Sequence, residues 1–278
     1  MKRILVTGAA GFIGRSLVRA LKEKGFEVRC LIRRQGLEKA QRALGDISAE
    51  FWGGDLTDAE SLRGIAADID TVFHLASIGD LNAPDSYYPA YCRVNVEGTE
   101  NLIRECLGLG VGRFVYFSSL AAIEYPLTPY GRTKAAAEKA VRASGMPFAV
   151  IRFPMVWDTE EYGEFKKIAC LIRLGVIPVI GKRKFRLRNL HRGTLVSASI
   201  NCISCPLRQC VATFESAPLE MLELLGKISG GPRGASLVPL AIPAWGAYPI
   251  VWLFEKLSQL FNVMPFLTVK RLRYLMTR

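Results

Sequence analysis

The chain has 278 residues, of which 50% are hydrophobic and 22% are charged. This length and apolar content suffice for a large buried core and exclude an intrinsically disordered protein. The formal charge of +12 is unevenly distributed: residues 1–157 hold 20 basic and 17 acidic side chains (net +3), and residues 158–278 hold 17 and 8 (net +9). The basic second half indicates a phosphate-bearing ligand or an anionic membrane, and we expect no nucleic-acid binding.

The seven cysteines show no paired spacing of the kind found in disulfide scaffolds. Cys202, Cys205 and Cys210 form a loose cluster. Because no second Cys or His pair stands at ligand spacing, we expect free thiols there, and no metal site in the protein. The first three residues run directly into an apolar strand, so we expect no signal peptide and a cytoplasmic, reducing location.

The first half of the chain alternates short apolar runs with helical patterns. Six strands are predicted, at Arg3–Thr7, Glu27–Ile32, Glu50–Gly53, Thr71–Leu75, Arg113–Ser118 and Pro147–Phe153. Helices are predicted at Phe12–Lys24, Asp58–Ala67, Ala90–Gly108 and Thr128–Ser144. Strands that are apolar throughout and alternate with helices are typical of an α/β fold, a doubly wound parallel sheet covered on both faces.

A glycine-rich turn follows the first strand. Gly8, Gly11 and Gly14 follow that strand and open the first helix. At this junction they predict a tight turn, close approach of a pyrophosphate and close packing of helix on strand, with the helix N-terminus facing the anion. The pattern predicts a Rossmann-like dinucleotide-binding domain.

The end of the second strand bears on the choice of cofactor. A carboxylate at that position would bind the ribose 2′-hydroxyl of NAD, but this chain has Arg33 and Arg34. Two guanidinium groups suit a 2′-phosphate, so we expect NADP, with NAD as the alternative cofactor.

Tyr130 and Lys134 stand four residues apart at the start of a predicted helix and therefore share one face. A close ammonium group favours the phenolate and lowers the pKa of a tyrosine from its ordinary value of about 10. Two serines, Ser118 and Ser119, precede this pair at the end of the fifth strand. The arrangement indicates a proton-transfer site.

The second half contains further elements. Helical patterns lie at Tyr162–Leu174, Arg192–Cys202 and Leu219–Ile228, and apolar strands at Val176–Ile180 and Cys210–Phe214. We expect residues 158–278 to form a small substrate-binding lobe beside a dinucleotide-binding domain of residues 1–157. If residues 182–188 are extended, Lys184, Arg186 and Arg188 lie on one side, which suits phosphate but is equally found on a solvated edge strand.

The C-terminal region is apolar. Leu237–Phe254 is eighteen residues long and uncharged, but its prolines argue against one continuous membrane-spanning helix. Leu253–Phe261 has the pattern of an amphipathic helix, followed by a basic end. Aromatic residues here suit either an apolar substrate entrance, a membrane interface or ordinary core.

Several motifs recur in a fixed order and resemble those of a known family. They are Thr7–Gly14, Gly54–Leu56, His74–Ala76, Val94–Thr99, Phe117–Ser119, Tyr130–Lys134 and Arg152–Pro154. Together they resemble the extended short-chain dehydrogenase/reductases, the NAD-dependent epimerase/dehydratase family. The resemblance is dense over residues 1–157 and looser beyond. The C-terminal region, with Pro265–Thr268, is similar to that of 3β-hydroxysteroid dehydrogenases.

The resemblance implies a role for each site residue. Tyr130 would exchange a proton with a substrate hydroxyl or carbonyl, and Lys134 would bind the nicotinamide ribose. Ser119, with Ser118 as the alternative, would polarise the reacting oxygen. Asp55 would accept from the adenine amino group, whereas we expect His74 to be packed and not catalytic. The residues expected at the cofactor are Gly8, Ala10, Gly11, Phe12, Ile13, Gly14, Arg33, Arg34, Asp55, Leu56, Leu75, Ala76, Ser77, Asn95, Tyr130, Lys134, Pro154 and Val156.

These features predict an NAD(P)-dependent oxidoreductase or epimerase that transfers hydride at a secondary alcohol or ketone, first of all of a nucleotide-linked sugar. One alternative is a hydroxysteroid-, sterol- or isoprenoid-type alcohol dehydrogenase at a membrane surface, favoured by Ser119 and the apolar C-terminal region. Another is a non-catalytic NADP(H)-binding protein. The expected partners are a phosphate-bearing or apolar small molecule, a second copy in a homodimer, and a membrane surface contacted peripherally.

Overall fold

A computed structural model describes residues 2–45, 47–81, 83–159, 176–180, 186–206, 208–228, 238–260 and 269. The chain divides into two units, and each is described by itself. The first comprises Met1–Gly79, Asp85–Pro154 and Arg192–Phe214; the second comprises Asp80–Pro84, Met155–His191 and Glu215–Arg278.

The first unit is built on a parallel sheet of seven strands. These are β1 (Arg3–Thr7), β2 (Glu27–Ile32), β3 (Glu50–Gly53), β4 (Thr71–His74), β5 (Arg113–Phe117), β6 (Phe148–Arg152) and β10 (Gln209–Thr213). Their order is β10-β6-β5-β4-β1-β2-β3. The order reverses between β1 and β4, and in such sheets a ligand crevice lies at the carboxyl ends of the strands at this point. The predicted α/β, Rossmann-like class is confirmed.

Helices and turns connect the strands of this unit. They are α1 (Phe12–Glu23), α2 (Leu37–Leu44), α3 (Tyr88–Cys92), α4 (Gly98–Gly108), α5 (Ala121–Glu124), α6 (Pro129–Ala143) and α7 (Arg192–Asn201). The strands β1, β4 and β5 are buried along almost their whole length. Such continuous apolar strands are expected when both faces of a parallel sheet are covered.

Two predicted helices take a different form. Within Asp58–Ala67 the structure has a single 3₁₀ turn, Glu60–Leu62, among hydrogen-bonded turns. The Ala90–Gly108 pattern is interrupted by a π-helical turn, Arg93–Glu97, between α3 and α4. A π turn inserts an extra residue and rotates the helix face, which commonly happens beside functional sites. Here it places the side chain of Asn95 in the interior.

A predicted strand of the second lobe joins the main sheet instead. The expected strand Cys210–Phe214 corresponds to β10, which pairs in parallel with β6 and forms the sheet edge. Residues 192–214, grouped by the sequence pattern with the second lobe, thus lie in the first unit. The apolar pattern was correct, but an apolar run carries no information about which strand it will pair with.

The second unit contains two small sheets. One consists of β7 (Met155–Trp157), β9 (Arg186–His191) and β11 (Ser216–Glu220), and the other of β8 (Val176–Ile180) and β12 (Val238–Ile242). Its helices are α8 (Met221–Ile228) and α9 (Ala244–Leu260). The uncharged C-terminal stretch is therefore divided between a strand and a helix. Among the described residues, no helix is long and apolar enough to cross a membrane. The predicted helix Tyr162–Leu174 and Pro265–Thr268 lie outside the described residues.

Candidate active site

The glycine turn has the geometry that a dinucleotide requires. Gly8 has a φ of +71°, and a Cβ added to it would lie 2.8 Å from the backbone nitrogen of Ala76. A Cβ on Gly14 would lie 2.2 Å from the carbonyl oxygen of Gly8, so neither position accepts a side chain. Ala10 and Gly11 are exposed at the start of α1. A helix start reached by a turn without side chains is the arrangement that binds a pyrophosphate in dinucleotide-binding proteins.

The next predicted cofactor residues are Phe12 and Ile13, which follow the glycine turn, and Leu56, which follows strand β3. Phe12 and Ile13 form the half-buried first turn of α1. The carbonyl oxygen of Phe12 accepts a hydrogen bond from Arg192 at 3.4 Å, and the Arg192 guanidinium lies 4.7 Å from the Phe12 ring centre. Leu56 is buried against Gly98, where an added Cβ would lie 2.8 Å from the Leu56 Cβ. Leu56 therefore packs against the start of α4.

The carboxyl ends of β2 and β3 bring two cations and one carboxylate together. Arg33 and Arg34 are exposed, and Arg34 donates from Nε to the carbonyl oxygen of Gly53 at 3.3 Å. Asp55 accepts hydrogen bonds from the backbone nitrogen and hydroxyl of Thr57, both at 2.8 Å. The backbone hydrogen bond from Thr57 is the main cause that lowers the pKa of Asp55, and Arg33 acts in the same direction. Asp55 is thus a carboxylate at neutral pH.

The segment after β4 passes beside the glycine turn. Leu75 and Ala76 are half-buried and Ser77 is exposed. Beyond them, the backbone of Ile78 exchanges two hydrogen bonds with the side chain of Asn95, at 2.8 Å and 2.7 Å. Asn95 also donates to the hydroxyl of Thr133 on α6 at 3.1 Å. Asn95 therefore connects the segment after β4 to α6.

Helix α6 starts at a side-chain cap and carries Tyr130 in its first turn. Thr128 accepts a hydrogen bond at Oγ1 from the backbone nitrogen of Gly131 at 3.1 Å, and Pro129 occupies the first helical position. Threonine caps and a proline at this position both favour a helix start. The ring of Tyr130 lies against Gly79, where an added Cβ would be 2.0 Å from the Tyr130 Cδ2.

Lys134 is buried one turn further along α6. Its side chain is among the largest that are fully buried. Its Nζ donates to the carbonyl oxygen of Phe117 at 2.6 Å and lies 4.3 Å from the ring centre of Tyr116. Burial lowers the pKa of Lys134 from 10.5 to about 7, although Glu138 opposes this change. The pKa of Lys134 thus lies near neutral pH, whereas the sequence pattern suggested an ammonium group beside Tyr130.

The two serines have different surroundings. Ser118 is buried and donates its hydroxyl proton to Glu138, which also forms a bidentate ion pair with Arg152, the shortest contact being 2.6 Å. Ser119 is half-exposed, and its Oγ accepts from the backbone nitrogen of Ala121 at 3.1 Å. Accepting this bond leaves the hydroxyl proton of Ser119 to be donated elsewhere. The geometry therefore favours Ser119 over Ser118 for polarising a substrate oxygen.

Sequence reasoning missed the carboxylate beneath this site. Glu138 follows Lys134 by four residues, as Lys134 follows Tyr130, so all three share one face of α6. That spacing was the available signal. The hydrogen bond to Glu138 raises the pKa of Arg152, and the ion pair between the two side chains fixes α6 to the end of β6. His74, as expected, is packed: it is fully buried between two threonines.

The remaining predicted residues are described with the unit to which each belongs. Pro154 ends the first unit half-buried, and Val156 is buried in β7 of the second unit. Of the basic segment, Arg186 is exposed, Arg188 pairs with Glu215 at 2.5 Å, and Lys184 lies outside the described residues. Cys202, Cys205 and Cys210 are free thiols, and burial raises the pKa of Cys202 to about 11. Within the described part of the chain, no three His, Cys, Asp or Glu residues are grouped to hold a metal ion.

Comparison with known proteins identifies the family. Residues 4–167 match the family model described as the NAD dependent epimerase/dehydratase family. The chain is 34% identical to a 3 beta-hydroxysteroid dehydrogenase/Delta 5-->4-isomerase of Mycobacterium tuberculosis, over 71% of this chain and 59% of that protein. It is 30% identical to a 2-alkyl-3-oxoalkanoate reductase of Stenotrophomonas maltophilia, over 94% and 84%. The chain thus spans about three fifths of the length of the steroid dehydrogenase relative.

A solved structure gives the same result. MoeE5 in complex with UDP-glucuronic acid and NAD is 27% identical, with a TM-score of 0.69 over 87% of this chain and 85% of that one. The parallel sheet, the glycine turn and the Tyr130–Lys134 helix define a nicotinamide-dinucleotide-binding α/β protein. The chain belongs to the NAD-dependent epimerase/dehydratase family, as its motifs predicted.

Proposed function

We propose that the protein is an NAD(P)-dependent oxidoreductase that interconverts a secondary alcohol and a ketone. One observation carries the proposal: the buried Lys134 follows Tyr130 by one helical turn at the carboxyl edge of the sheet. The glycine turn after β1, at the same edge, has no room for side chains at Gly8 and Gly14. Relatives named as dehydrogenase and reductase support it.

Each residue of the site has a distinct task in this reaction. Tyr130 transfers a proton between its hydroxyl and the reacting oxygen of the substrate, and Ser119 donates a hydrogen bond to that oxygen. Lys134 donates one Nζ proton to the carbonyl oxygen of Phe117 and would bind the nicotinamide ribose with the remaining donors; its pKa of about 7 suits proton exchange near neutral pH. When bound, the nicotinamide supplies or accepts the hydride.

Replacing Tyr130 by phenylalanine tests the assignment. The Tyr130→Phe variant keeps the ring that packs on Gly79 and loses only the hydroxyl. We expect turnover to fall by about 10²- to 10⁴-fold, the usual contribution of a positioned acid–base group, with an unchanged dissociation constant for NADPH in a fluorescence titration. Normal turnover in this variant would rule out the catalytic role.

We propose further that NADP is preferred and that Arg33 binds its 2′-phosphate. Arg33 is exposed at the end of β2 and influences Asp55 electrostatically, whereas Arg34 is engaged with Gly53. We expect Arg33→Gln to weaken NADPH binding by about tenfold or more, as loss of a charged hydrogen bond does, with NADH affected much less. Lys39→Gln, which removes an exposed charge from α2, is the control. Equal losses for NADPH and NADH would contradict the assignment.

For the substrate we favour an apolar secondary alcohol or ketone. The relatives named for steroids and for alkyl-oxoalkanoates support this class. Arg188, one of three cations expected to meet phosphate, is already paired with Glu215, which weakens the argument for a diphosphate. A nucleotide-linked sugar, the first expectation from the sequence, is the second candidate because MoeE5 binds UDP-glucuronic acid.

Two assays separate the alternatives. Candidate ketones are tested by oxidation of NADPH, and UDP-sugars, which carry hydroxyl groups, by reduction of NADP+ and by chromatography of the sugar product, because an epimerisation consumes no net cofactor. We expect turnover with a 3-ketosteroid or a 2-alkyl-3-oxo acid and none with UDP-sugars. Turnover with UDP-sugars alone would favour the second candidate. Tight NADPH binding without turnover of either class would favour the non-catalytic alternative.

Peripheral contact with a membrane from the cytoplasm is part of the proposal. Helix α9 leaves several apolar side chains in solvent, including Trp245 (80% exposed), Trp252 (55%) and Leu253 (51%). Tryptophan favours the membrane–water interface, and the net charge of +9 over residues 158–278 suits anionic lipids. A membrane surface would also deliver an apolar substrate.

Vesicle sedimentation tests this contact. We expect the protein to bind phosphatidylglycerol-containing vesicles and to lose most binding when Trp245 and Trp252 are both replaced by serine. Leu127→Ser removes a side chain that is 74% exposed in the first unit and serves as the control. Equal binding by the double variant would remove α9 from the proposal.

A homodimer through α4 and α6, as expected from the resemblance, is tested in the same preparations by light scattering.

A further inference from the structure

A series of hydrogen bonds between buried side chains runs from the glycine turn toward helix α6. Thr7, His74 and Thr99 are fully buried. The imidazole of His74 lies between the two threonines, with Nδ1 2.7 Å from the Thr7 Oγ1 and Nε2 2.8 Å from the Thr99 Oγ1. None of these side chains has a task in the proposed reaction, yet each is a polar group withdrawn from water and fully hydrogen-bonded.

The direction of each hydrogen bond follows from the available protons. Thr99 donates its only hydroxyl proton to the carbonyl oxygen of Asn95 at 2.6 Å, so toward His74 it accepts, and Nε2 is the donor. Burial lowers the pKa of His74 to about 3, with Lys134 acting in the same direction. A neutral imidazole that donates from Nε2 accepts at Nδ1.

One end of the series reaches the glycine turn. Because Nδ1 of His74 accepts, Thr7 donates to it, and the Thr7 oxygen in turn accepts from the backbone nitrogen of Ala76 at 3.1 Å. Thr7 is the last residue of β1 and directly precedes Gly8. Ala76 is the residue that a Cβ on Gly8 would strike. The Thr7 end therefore fixes both sides of the turn that would hold the pyrophosphate.

The other end reaches the helix that carries the proton-transfer residues. Thr99 bonds to the backbone of Asn95, whose side chain donates to the Thr133 hydroxyl at 3.1 Å. Thr133 donates to the carbonyl oxygen of Tyr130 at 3.0 Å. Five buried side chains thus connect the glycine turn to helix α6 in the first unit. His74 joins the two ends of the series, because it accepts at one ring nitrogen and donates from the other.

We propose that His74 is a positioning residue, a neutral Nε2–H imidazole that holds the glycine turn through Thr7 and the Tyr130 helix through Thr99 in one mutual arrangement. The inference rests on the proposed function for the meaning of both ends. It assigns to His74 two separable effects, one on cofactor binding at the Thr7 end and one on the placement of Tyr130 at the Thr99 end.

Two amide substitutions separate these effects. In His74→Asn the side-chain oxygen stands near the position of Nδ1 and accepts from Thr7, but nothing reaches Thr99. In His74→Gln the amide nitrogen stands near the position of Nε2 and donates to Thr99, while the acceptor for Thr7 is lost. His74→Phe keeps the ring volume and loses both bonds.

The readouts are the NADPH dissociation constant, kcat with an accepted ketone, and hydrogen–deuterium exchange of the peptide over residues 129–134. We expect His74→Gln to weaken NADPH binding about fivefold, the effect of one lost hydrogen bond, and to leave exchange at 129–134 unchanged. We expect His74→Asn to keep the wild-type NADPH affinity, to speed exchange at 129–134 about fivefold and to lower kcat by a similar factor. His74→Phe should show both losses.

Thermal unfolding of every variant accompanies these measurements, because a merely structural histidine would lower all readouts together with stability. Parallel losses in His74→Asn and His74→Gln, or no loss in either, would overturn the proposal. If the wild-type protein bound no nicotinamide cofactor, the proposed function would fail by itself. The exchange comparison between the two amide variants would still decide whether His74 positions the helix.

Discussion

The placement of Tyr130 depends on a residue that bears no side chain. Its aromatic ring lies so close to Gly79 that even a methyl group there would come within 2.0 Å of Cδ2 and 2.6 Å of Cε2. Real Cβ atoms do not approach carbon this closely, so any larger residue must displace the ring. Because proton transfer requires the hydroxyl within hydrogen-bond reach of the substrate oxygen, Gly79 limits which orientations of Tyr130 exist.

We therefore predict that Gly79→Ala lowers kcat by about 100-fold, the effect that a displacement of about 1 Å has on a reacting group. The NADPH dissociation constant should stay near the wild-type value, because the glycine turn is untouched. Steady-state kinetics measure kcat, and a fluorescence titration measures the NADPH dissociation constant. Gly108→Ala is the matched control, since an added Cβ there meets nothing within 4 Å. Equal kcat values for the two variants would contradict the prediction.

At this scale the sequence predicts chemistry better than it predicts contacts. The prediction of Tyr130 and Lys134 rests on their spacing, because a helix places residues four apart on one face, together with the glycine turn and the serines that precede them. Gly79 could not be predicted, since it lies in a loop far from Tyr130 along the chain. The lowered pKa of Lys134 was also beyond reach, because it arises from burial and burial depends on how α6 packs.

Helix α6 carries Tyr130 and Lys134, and the side chain of Thr128 caps its start. Thr128 accepts from the backbone nitrogen of Gly131 and also donates to the carbonyl oxygen of Tyr125 at 2.9 Å. The two bonds fix the loop between α5 and α6 just before Tyr130. Without the hydroxyl, a backbone amide in the first turn loses its partner.

We predict that Thr128→Ala destabilises the protein by about 1 kcal/mol, the usual loss for an N-cap, and that Thr128→Ser restores most of it. Urea unfolding followed by circular dichroism measures both free energies of unfolding. The serine variant is the control, because it keeps the hydroxyl and removes only the methyl group. A serine variant as unstable as the alanine variant would show that the methyl contact, and not the cap, stabilises α6.

Elements with a clear pattern in their own residues could be predicted, and elements that depend on distant contacts could not. The bounds of β1, β2 and β3 follow from apolar runs that end in glycine or charged residues. The π turn within residues 93–97 was not predictable, because its apolar spacing fits an ordinary helix and the turn is stabilised by the buried contacts of Asn95. The position of β10 beside β6 depends on a pairing over some sixty residues, which periodicity does not encode.

Across the whole molecule, buried titratable groups determine how stability depends on pH. Lys134 has a pKa lowered from 10.5 to about 7, so between these values the unfolded chain holds a proton that the folded chain has released. Stability therefore rises with pH in that window. Among the described residues, two buried thiols and one partly buried thiol act in the opposite direction. Burial raises the pKa of Cys30 and Cys106 from 9.0 to about 12 and that of Cys202 to about 11.

Above pH 9.0, the ordinary value for these thiols, the unfolded chain releases protons that the folded chain keeps, and stability falls as pH rises. Tyr116, whose pKa burial raises well above 10.0, adds to the fall.

We predict that the free energy of unfolding increases between about pH 7 and pH 9, by on the order of 1 kcal/mol per pH unit, and decreases beyond. Urea unfolding in the presence of a non-thiol reductant measures the curve. In Lys134→Met the rise should disappear while the fall above pH 9 remains, because the thiols are unchanged. A rise that persists in Lys134→Met would show that another group causes it.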